Sequence, residues 1–336
     1  MQIIKAYIRS KLEVDNTNKN NTFRYVFNSI QFVNITMPTS LIKWFDKNTV
    51  KHLRLPFSFF LMPVFLFALS QAIEIHWGTT ILAFLIMHLL IFPSSNGYNS
   101  FQDRDETSIG GLKHPPKVTK NLYYATLSLD IIALICGLMV SVFFSLLLLV
   151  FVLMSRAYSY RKIRLKKYPL IGFLTVFVFQ GGFVYLMASA AITHSSFDQF
   201  FTLNNLLCMA ISSLFIGSAY PLTQIYQHEA DKNDGVISIS YQLGYNGTFV
   251  FSAILFSIAT ILLAYYFGIK NQSVAFVLFL VLMLPIVFRL SGWFGKVRQN
   301  ISHANFENTM KMNTMNSIFM NIYFLILIIN RFRNWF

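Results

Sequence analysis

Acidic side chains are scarce in this chain. Thirteen Asp and Glu stand against 27 Lys and Arg, and charged residues of all kinds fill only 12% of the 336 positions. A soluble domain carries about 25%, so a water-facing surface cannot be built over the whole molecule. Cysteine is nearly absent too. Cys136 and Cys208 both sit in apolar runs, which leaves them as small buried hydrophobes and excludes a disulfide framework or a cysteine metal site. The first fifty residues contain no apolar stretch leading to a cleavage site, so no removable signal segment is expected. The net charge of +14 raises nucleic acid as a partner. The Lys and Arg form no interleaved aromatic and basic module, however, and no nucleic acid is expected.

What the chain has instead is apolar surface. Hydrophobic residues make up 55%, Phe alone supplies 36 positions, and mean hydropathy is +0.54. A spanning helix needs about 20 apolar residues. Nine runs qualify: 56–73, 79–98, 121–138, 141–157, 169–189, 203–222, 246–267, 273–290 and 313–330. The fold class expected is therefore all-α, a polytopic bundle of nine transmembrane helices. The third and fourth runs are nearly continuous, and their combined length forces a tight helical hairpin, with the split expected near Gly137.

With nine spans, alternate loops fall on opposite sides. Twenty-four of the 27 basic residues then lie on the side of the N-terminus, leaving only Lys270, Arg331 and Arg333 on the other. Basic loops mark the cytoplasmic face, so a cytoplasmic N-terminus is expected, in a bacterial cytoplasmic membrane. Residues 1–52 are read as a cytoplasmic N-terminal extension and 53–336 as the transmembrane domain. Within the extension, 15–22 is a polar link, and 3–12 reads either as a surface-lying segment with Lys5, Arg9 and Lys11 toward lipid phosphates or as a plain tail.

Six of the thirteen carboxylates cluster in two short cytoplasmic segments. Asp103, Asp105 and Glu106 follow the second span; Glu229, Asp231 and Asp234 follow the sixth. Facing carboxylates repel unless a cation lies between them, and Mg²⁺ typically takes one or two carboxylates plus substrate phosphates. Asn99 and Asp103 are four apart, as are Gln227 and Asp231, so each pair shares a helical face. The expected metal ligands are Asn99, Asp103, Asp105, Gln227 and Asp231, around Mg²⁺ that bridges a diphosphate. Lys113, Arg164, Lys166 and Lys232 stand nearby as expected phosphate clamps.

At these segments the chain resembles the UbiA superfamily of intramembrane prenyltransferases. The family's first motif, roughly N-D-x-x-D-x-x-x-D, finds its Asn in Asn99 and its middle Asp in Asp103, with Ser100 and Thr107 at the other acidic positions. Its second motif, roughly D-x-x-x-D-x-x-x-G-x-x-T-L-P followed by L-G, meets Gln227, Asp231, Gly235, Ser238, Leu243 and Gly244. Tyr158, Ser159, Arg164, Leu165 and Lys166 are similar to the Y-S-x-x-x-x-(R/K)-L-K stretch after the fourth helix of several members. The resemblance covers about residues 50–330. It implies transfer of a polyprenyl group from its diphosphate to an acceptor with Mg²⁺, and Asn99, Asp103 and Asp231 as catalytic residues. The acceptor could be an aromatic quinone precursor, a tetrapyrrole or a lipid. The missing carboxylates keep open a non-catalytic isoprenoid-binding protein, and Asp130, acidic within a span, keeps open a transporter, an acceptor contact or a structural hydrogen bond to another helix. Gly110–Gly111 reads as a loop over the site, Gly181–Gly182 as close helix packing, His228 as a structural histidine or a base, and Tyr158 and Tyr220 as interface anchors.

Overall fold

The structure is a computed structural model that describes residues 43–104, 106–193 and 201–333. The expectations for residues 3–12 and 15–22 and for Asp105 lie outside the described residues. The described chain is helical from end to end, and its only β-type pairing is an isolated bridge between Ile109 and Leu112.

The helices are α1 (Lys47–Leu53), α2 (Met62–Gln71), α3 (Trp77–Asp103), α4 (Lys120–Val140), α5 (Val142–Ser159), α6 (Pro169–Thr193), α7 (Leu203–Gln224), α8 (His228–Asn233), α9 (Ile239–Ile269), α10 (Ser273–Gln299) and α11 (Phe306–Arg333). Eight of them are long and apolar enough to cross a membrane, and α2 with the bent segment before it makes a ninth. The chain is an integral membrane protein with the all-α, polytopic fold class expected.

The first span is not the simple helix that 56–73 describes. Arg54 takes a left-handed conformation, Pro56 opens a 3₁₀ turn over Leu55–Phe60, and Pro63 restarts the helix as α2, with a 40° bend. Proline can begin a helix but cannot continue one. Residues 43–52, grouped in the sequence with the extension, pack on the bundle. Asp46 caps α1 at the Thr49 amide and accepts from Asn121 at 2.9 Å, and His52 bonds the Pro116 carbonyl at 2.7 Å.

The α4–α5 hairpin turns at Ser141, four residues after the expected Gly137. Ser141 is extended, and its hydroxyl caps α5 at the Phe144 amide. Gly137 is where the two arms touch: a Cβ there would lie 2.8 Å from Leu148. Gly181–Gly182 does the same between α6 and α7, where a Cβ on Gly181 would stand 2.4 Å from the Ser213 backbone. A π-helical segment, Phe177–Gly182, accompanies this approach in α6. A second, Ile86–Ile91, precedes Pro93 in α3, where the backbone ladder loses a donor.

Asp130 is answered inside the bundle. Arg156 from α5 pairs with it, Ser94 donates to it at 2.6 Å, and the guanidinium lies over the Tyr98 ring at 3.9 Å. The acid thus joins α3, α4 and α5. Removing one partner of such a pair strands a charge in a low-dielectric interior. Asp130→Ala is expected to destabilise the protein by about 3 kcal/mol or more, and the double variant Asp130→Leu/Arg156→Leu to recover part of the loss. Thermal unfolding in detergent measures both.

Candidate active site

Why the chain closes here follows from its caps. α3 ends on Asp103 because Arg104, left-handed at φ 55°, returns its amide to the Ser100 carbonyl at 3.0 Å. The second segment turns just as sharply. Gly235 has φ 70°, and the Val236 amide bonds back to the Asp231 carbonyl at 2.8 Å, the C-terminal glycine motif that closes α8. Ser238 then caps α9 at the Tyr241 amide. Gly244, at φ 66° and ψ 177°, breaks α9 near its start, and Thr248 donates to its carbonyl at 2.7 Å. Only glycine takes that backbone geometry freely. The resembling positions Gly235, Ser238 and Gly244 are thus turn and cap residues rather than ligands.

The turns bring three loops together at the basic end of the bundle. Asp103 is 8% exposed and is paired with both Lys166 and Arg164. Arg164, equally buried and left-handed at φ 49°, also pairs with Asp234 and donates to the Asp234 carbonyl at 3.0 Å. Arg161 adds a contact to Asp234 at 3.5 Å and donates to the Gln102 and Asp103 carbonyls. One guanidinium therefore ties the acidic segment after α3 to the one after α8, across the loop that follows α5.

Beneath this network lies a cavity of about 300 Å³. Asn99, Asp103, Lys166, Gln227, Asp231 and Asp234 line its mouth. Asn99 donates to Ser159 at 3.2 Å, and Gln227 to the Ser108 carbonyl at 3.3 Å. Part of its wall is aromatic: Phe67, Phe92, Phe151 and Phe324 all touch the cavity and are at most 4% exposed. The hairpin at Ile109–Leu112 caps one side. Gly110 packs on Phe57, and its carbonyl accepts from Arg54 at 3.1 Å.

Not every residue singled out in the sequence reaches this cavity. Lys113 faces Glu307 at the start of α11, at 2.5 Å, with both side chains about half exposed. Lys232 stands over the Tyr241 ring and is exposed. Neither lines the cavity, and Arg164 reaches it only through Asp103 and Asp234. Tyr158 and Tyr220 correct the sequence reading of them as interface anchors: both line the cavity, and their hydroxyls meet at 2.5 Å, with Gln224 donating to Tyr220 at 2.8 Å. The sequence missed Arg54, a cavity residue that donates to the Asn96 carbonyl at 2.9 Å. An arginine just before an apolar run looks like any other basic span edge, and only its burial sets it apart.

The donor chemistry at the mouth fits a hard cation. Asn99, Asp103, Gln227 and Asp231 all offer oxygen, and none of the lining groups is a thiolate or imidazole. Among the described residues no three His, Cys, Asp or Glu are grouped closely enough to hold a metal ion by themselves, so Mg²⁺ here would take most of its ligands from phosphate and water.

His228 lies off the cavity. It is 5% exposed, bonds Ser240 at 2.8 Å and stacks near Tyr245. Burial holds its imidazole down to about 4. A histidine depressed in the folded state binds a proton less readily there than in the unfolded chain. Stability from His228 is thus full above pH 6.5 and is lost as pH falls toward 4. The melting temperature should drop over that window, and His228→Gln should flatten the drop. Gly110→Val, whose Cβ would stand 2.8 Å from the Phe57 ring, should lower stability at neutral pH by about 1 kcal/mol or more.

Comparison with known proteins gives a consistent result. The model of the UbiA prenyltransferase family matches residues 58–315. Among solved structures, a UbiA homolog from Archaeoglobus fulgidus bound to DMAPP and Mg²⁺ is similar at 15% identity with a TM-score of 0.62, over 84% of this chain and 99% of that one. The apo UbiA homolog from Aeropyrum pernix K1 gives 16% and 0.60, over 82% and 98%. A structure concerned with digeranylgeranylglyceryl phosphate synthase gives 19% and 0.54, over 84% and 97%. No curated protein matches the chain.

Proposed function

We propose, from the premise that this chain belongs to the UbiA prenyltransferase family, that it transfers a polyprenyl group from its diphosphate to an acceptor inside the membrane. The observation that carries the reading is a single cavity with two kinds of lining. Asp103 and Asp231, from segments far apart in sequence, line its mouth beside Lys166, and buried aromatic rings line part of its wall. A charged head and a long apolar tail need that combination.

In this reading the tail lies among Phe67, Phe92, Phe151 and Phe324, and the diphosphate sits at the mouth. Asn99, Asp103, Gln227 and Asp231 would hold Mg²⁺, with Asp105 a further ligand by its place in the sequence. Mg²⁺ would supply positive charge to the departing diphosphate. Lys166 lies at the cavity wall and adds its ammonium to the same oxygens. Arg164 positions Asp103 and Asp234 rather than meeting the donor directly. The C1–O bond breaks with its electron pair leaving on the diphosphate, and an allylic cation remains. Ring faces near the mouth, Tyr158 and Tyr220 among them, stabilise it by their π density. The acceptor's electron pair then forms the new bond to C1, and the acceptor sheds a proton. Lys113 and Lys232, placed off the cavity, act only on the approach of the anionic head. The basic face of the bundle is the cytoplasmic one by its charge.

One observation favours a second reading. Both oxygens of Asp103 are engaged by Lys166 and Arg164, while Ser100 and Thr107 stand where the family motif has further acids. A protein that binds a prenyl diphosphate without cleaving it would keep this architecture. Asp130 is held by Arg156 and does not line this cavity, which supports its reading as a structural contact between helices.

Purified protein given geranylgeranyl diphosphate, an acceptor and Mg²⁺ should release diphosphate, and EDTA should abolish release. Asp103→Asn and Asp231→Asn should each lower turnover about tenfold or more while unfolding as the parent does. Tight donor binding without release selects the second reading. Wild-type rates in both variants remove the metal site.

A further inference from the structure

Two neighbouring segments outside the cavity carry a cluster of cations that no acid answers. α1 and the residues just before it hold Lys43, Lys47 and Lys51, and the entry to α4 holds Lys117 and Lys120. All five are exposed, and none makes a hydrogen bond or ion pair with a described residue. By contrast Lys113, Arg156, Arg161, Arg164 and Lys166 each meet a carboxylate. The two segments are held side by side. Asn121 donates to Asp46 at 2.9 Å, the Trp44 and Tyr124 rings stack with centroids 5.4 Å apart, and His52 bonds the Pro116 carbonyl at 2.7 Å. Lys47 and Lys51, four apart, share one face of α1. Asp46 is the only acid in either segment, and it is already engaged by the Thr49 amide and Asn121.

The patch stands where the bundle leaves the bilayer. Tyr123 and Tyr124, in the first turn of α4, are 38% and 44% exposed, and Leu127, Ile131 and Ile135 continue an exposed apolar surface down the same helix. Tyrosine and tryptophan mark the membrane–water interface, so the lysines beside Trp44 and Tyr124 lie at headgroup height. Val50, exposed between Lys47 and Lys51, adds an apolar contact to the cationic one, the composition of a helix that lies in the interface. α1 is also tied to the cover of the cavity. Its buried His52 holds the loop before α4 at Pro116, and Arg54, the residue that ends α1, donates to Gly110 of the capping hairpin and to Asn96 of α3.

We propose that α1 and the entry to α4 bind the anionic headgroup of a membrane phospholipid, and that a lipid seated there steadies the cover of the cavity. The inference goes beyond the prenyltransferase reading and stands whatever chemistry the cavity performs. A lipid phosphate supplies the negative charge that the two segments lack, and lysines near an anionic surface are drawn to it. The lipid's acyl chains lie along the exposed apolar face of α4. A soluble acidic partner would leave that face and the Trp44–Tyr124 stack without a role. Bound lipid restrains α1, and α1 restrains the hairpin through His52 and Arg54.

Lipid binding and amide exchange test it, with no turnover needed. The full chain in neutral detergent is given equal amounts of phosphatidylglycerol and phosphatidylcholine, and native mass spectrometry counts the lipid that stays bound. The parent should retain phosphatidylglycerol in preference. Lys47→Gln/Lys51→Gln/Lys120→Gln should lower that preference about fivefold or more, the effect of at least one lysine at an anionic surface. It should unfold as the parent does, because all three side chains are exposed. Lys162→Gln/Lys296→Gln/Lys311→Gln removes the same charge from other exposed sites and should keep the preference. In nanodiscs, phosphatidylglycerol should slow amide exchange over 106–116 severalfold in the parent and leave the first triple variant unchanged. High salt should erase the difference. A parent with no preference overturns the inference. So does a second triple variant that loses as much as the first, since net charge would then explain the preference. A parent that ignores phosphatidylglycerol yet binds soluble poly-Glu overturns it in favour of an acidic protein. Preference without slowed exchange overturns the tie to the cover.

Discussion

One guanidinium holds the mouth of this bundle together. Arg164 leaves a left-handed turn after α5 and pairs with Asp103 at the end of α3 and with Asp234 after α8. Three loops far apart in sequence are fixed by that contact, and its Arg164–Asp103 arm is buried, so salt screens that arm little. The Arg164 Nη2 meets both carboxylates while Nη1 donates to the Asp234 carbonyl, and a guanidinium stays charged when desolvated. With the mouth fixed, Asn99, Gln227 and Asp231 fall around one opening, and the cavity beneath has a defined top.

The network also accounts for the thin supply of acid. Where carboxylates crowd, cations must separate them; here Arg161, Arg164 and Lys166 already interleave Asp103 and Asp234. Ser100, at a position where the family motif has an acid, is 1% exposed and its hydroxyl has no partner among the described residues. A charge there would be costly without its own counter-ion. The site balances fewer negative charges with fixed positive ones, and under the proposed function a diphosphate would meet a mouth whose cations are held in place in advance. Preorganised charge of this kind is the main way an enzyme lowers a barrier in which charge develops.

The spans, the all-α class and the two acidic segments were legible in the sequence because apolar length and charge position are one-dimensional signals. Gly235 and Gly244 were visible only as motif letters; their positive φ gives those letters a physical reason. The break of the first span at Arg54 and Pro56 was hidden, since a 3₁₀ turn and an α-helix look alike in hydropathy. Lys113 and Lys232 looked like clamps by nearness in sequence, yet nearness to an acid along the chain does not set the direction a lysine faces, and these face Glu307 and Tyr241. The Tyr158–Tyr220 pair left no trace, because it needs helices that meet only in the fold.

The central claim is that Asp103 and Asp231 share one diphosphate and its metal. The most direct measurement is an experimental structure with Mn²⁺ and a non-cleavable prenyl thiolodiphosphate. The account predicts an anomalous metal peak between the Asp103 and Asp231 carboxylates, with the diphosphate beside Lys166 and the tail running to Phe67. A metal bound elsewhere, or a thiolodiphosphate lying outside this cavity, would contradict it.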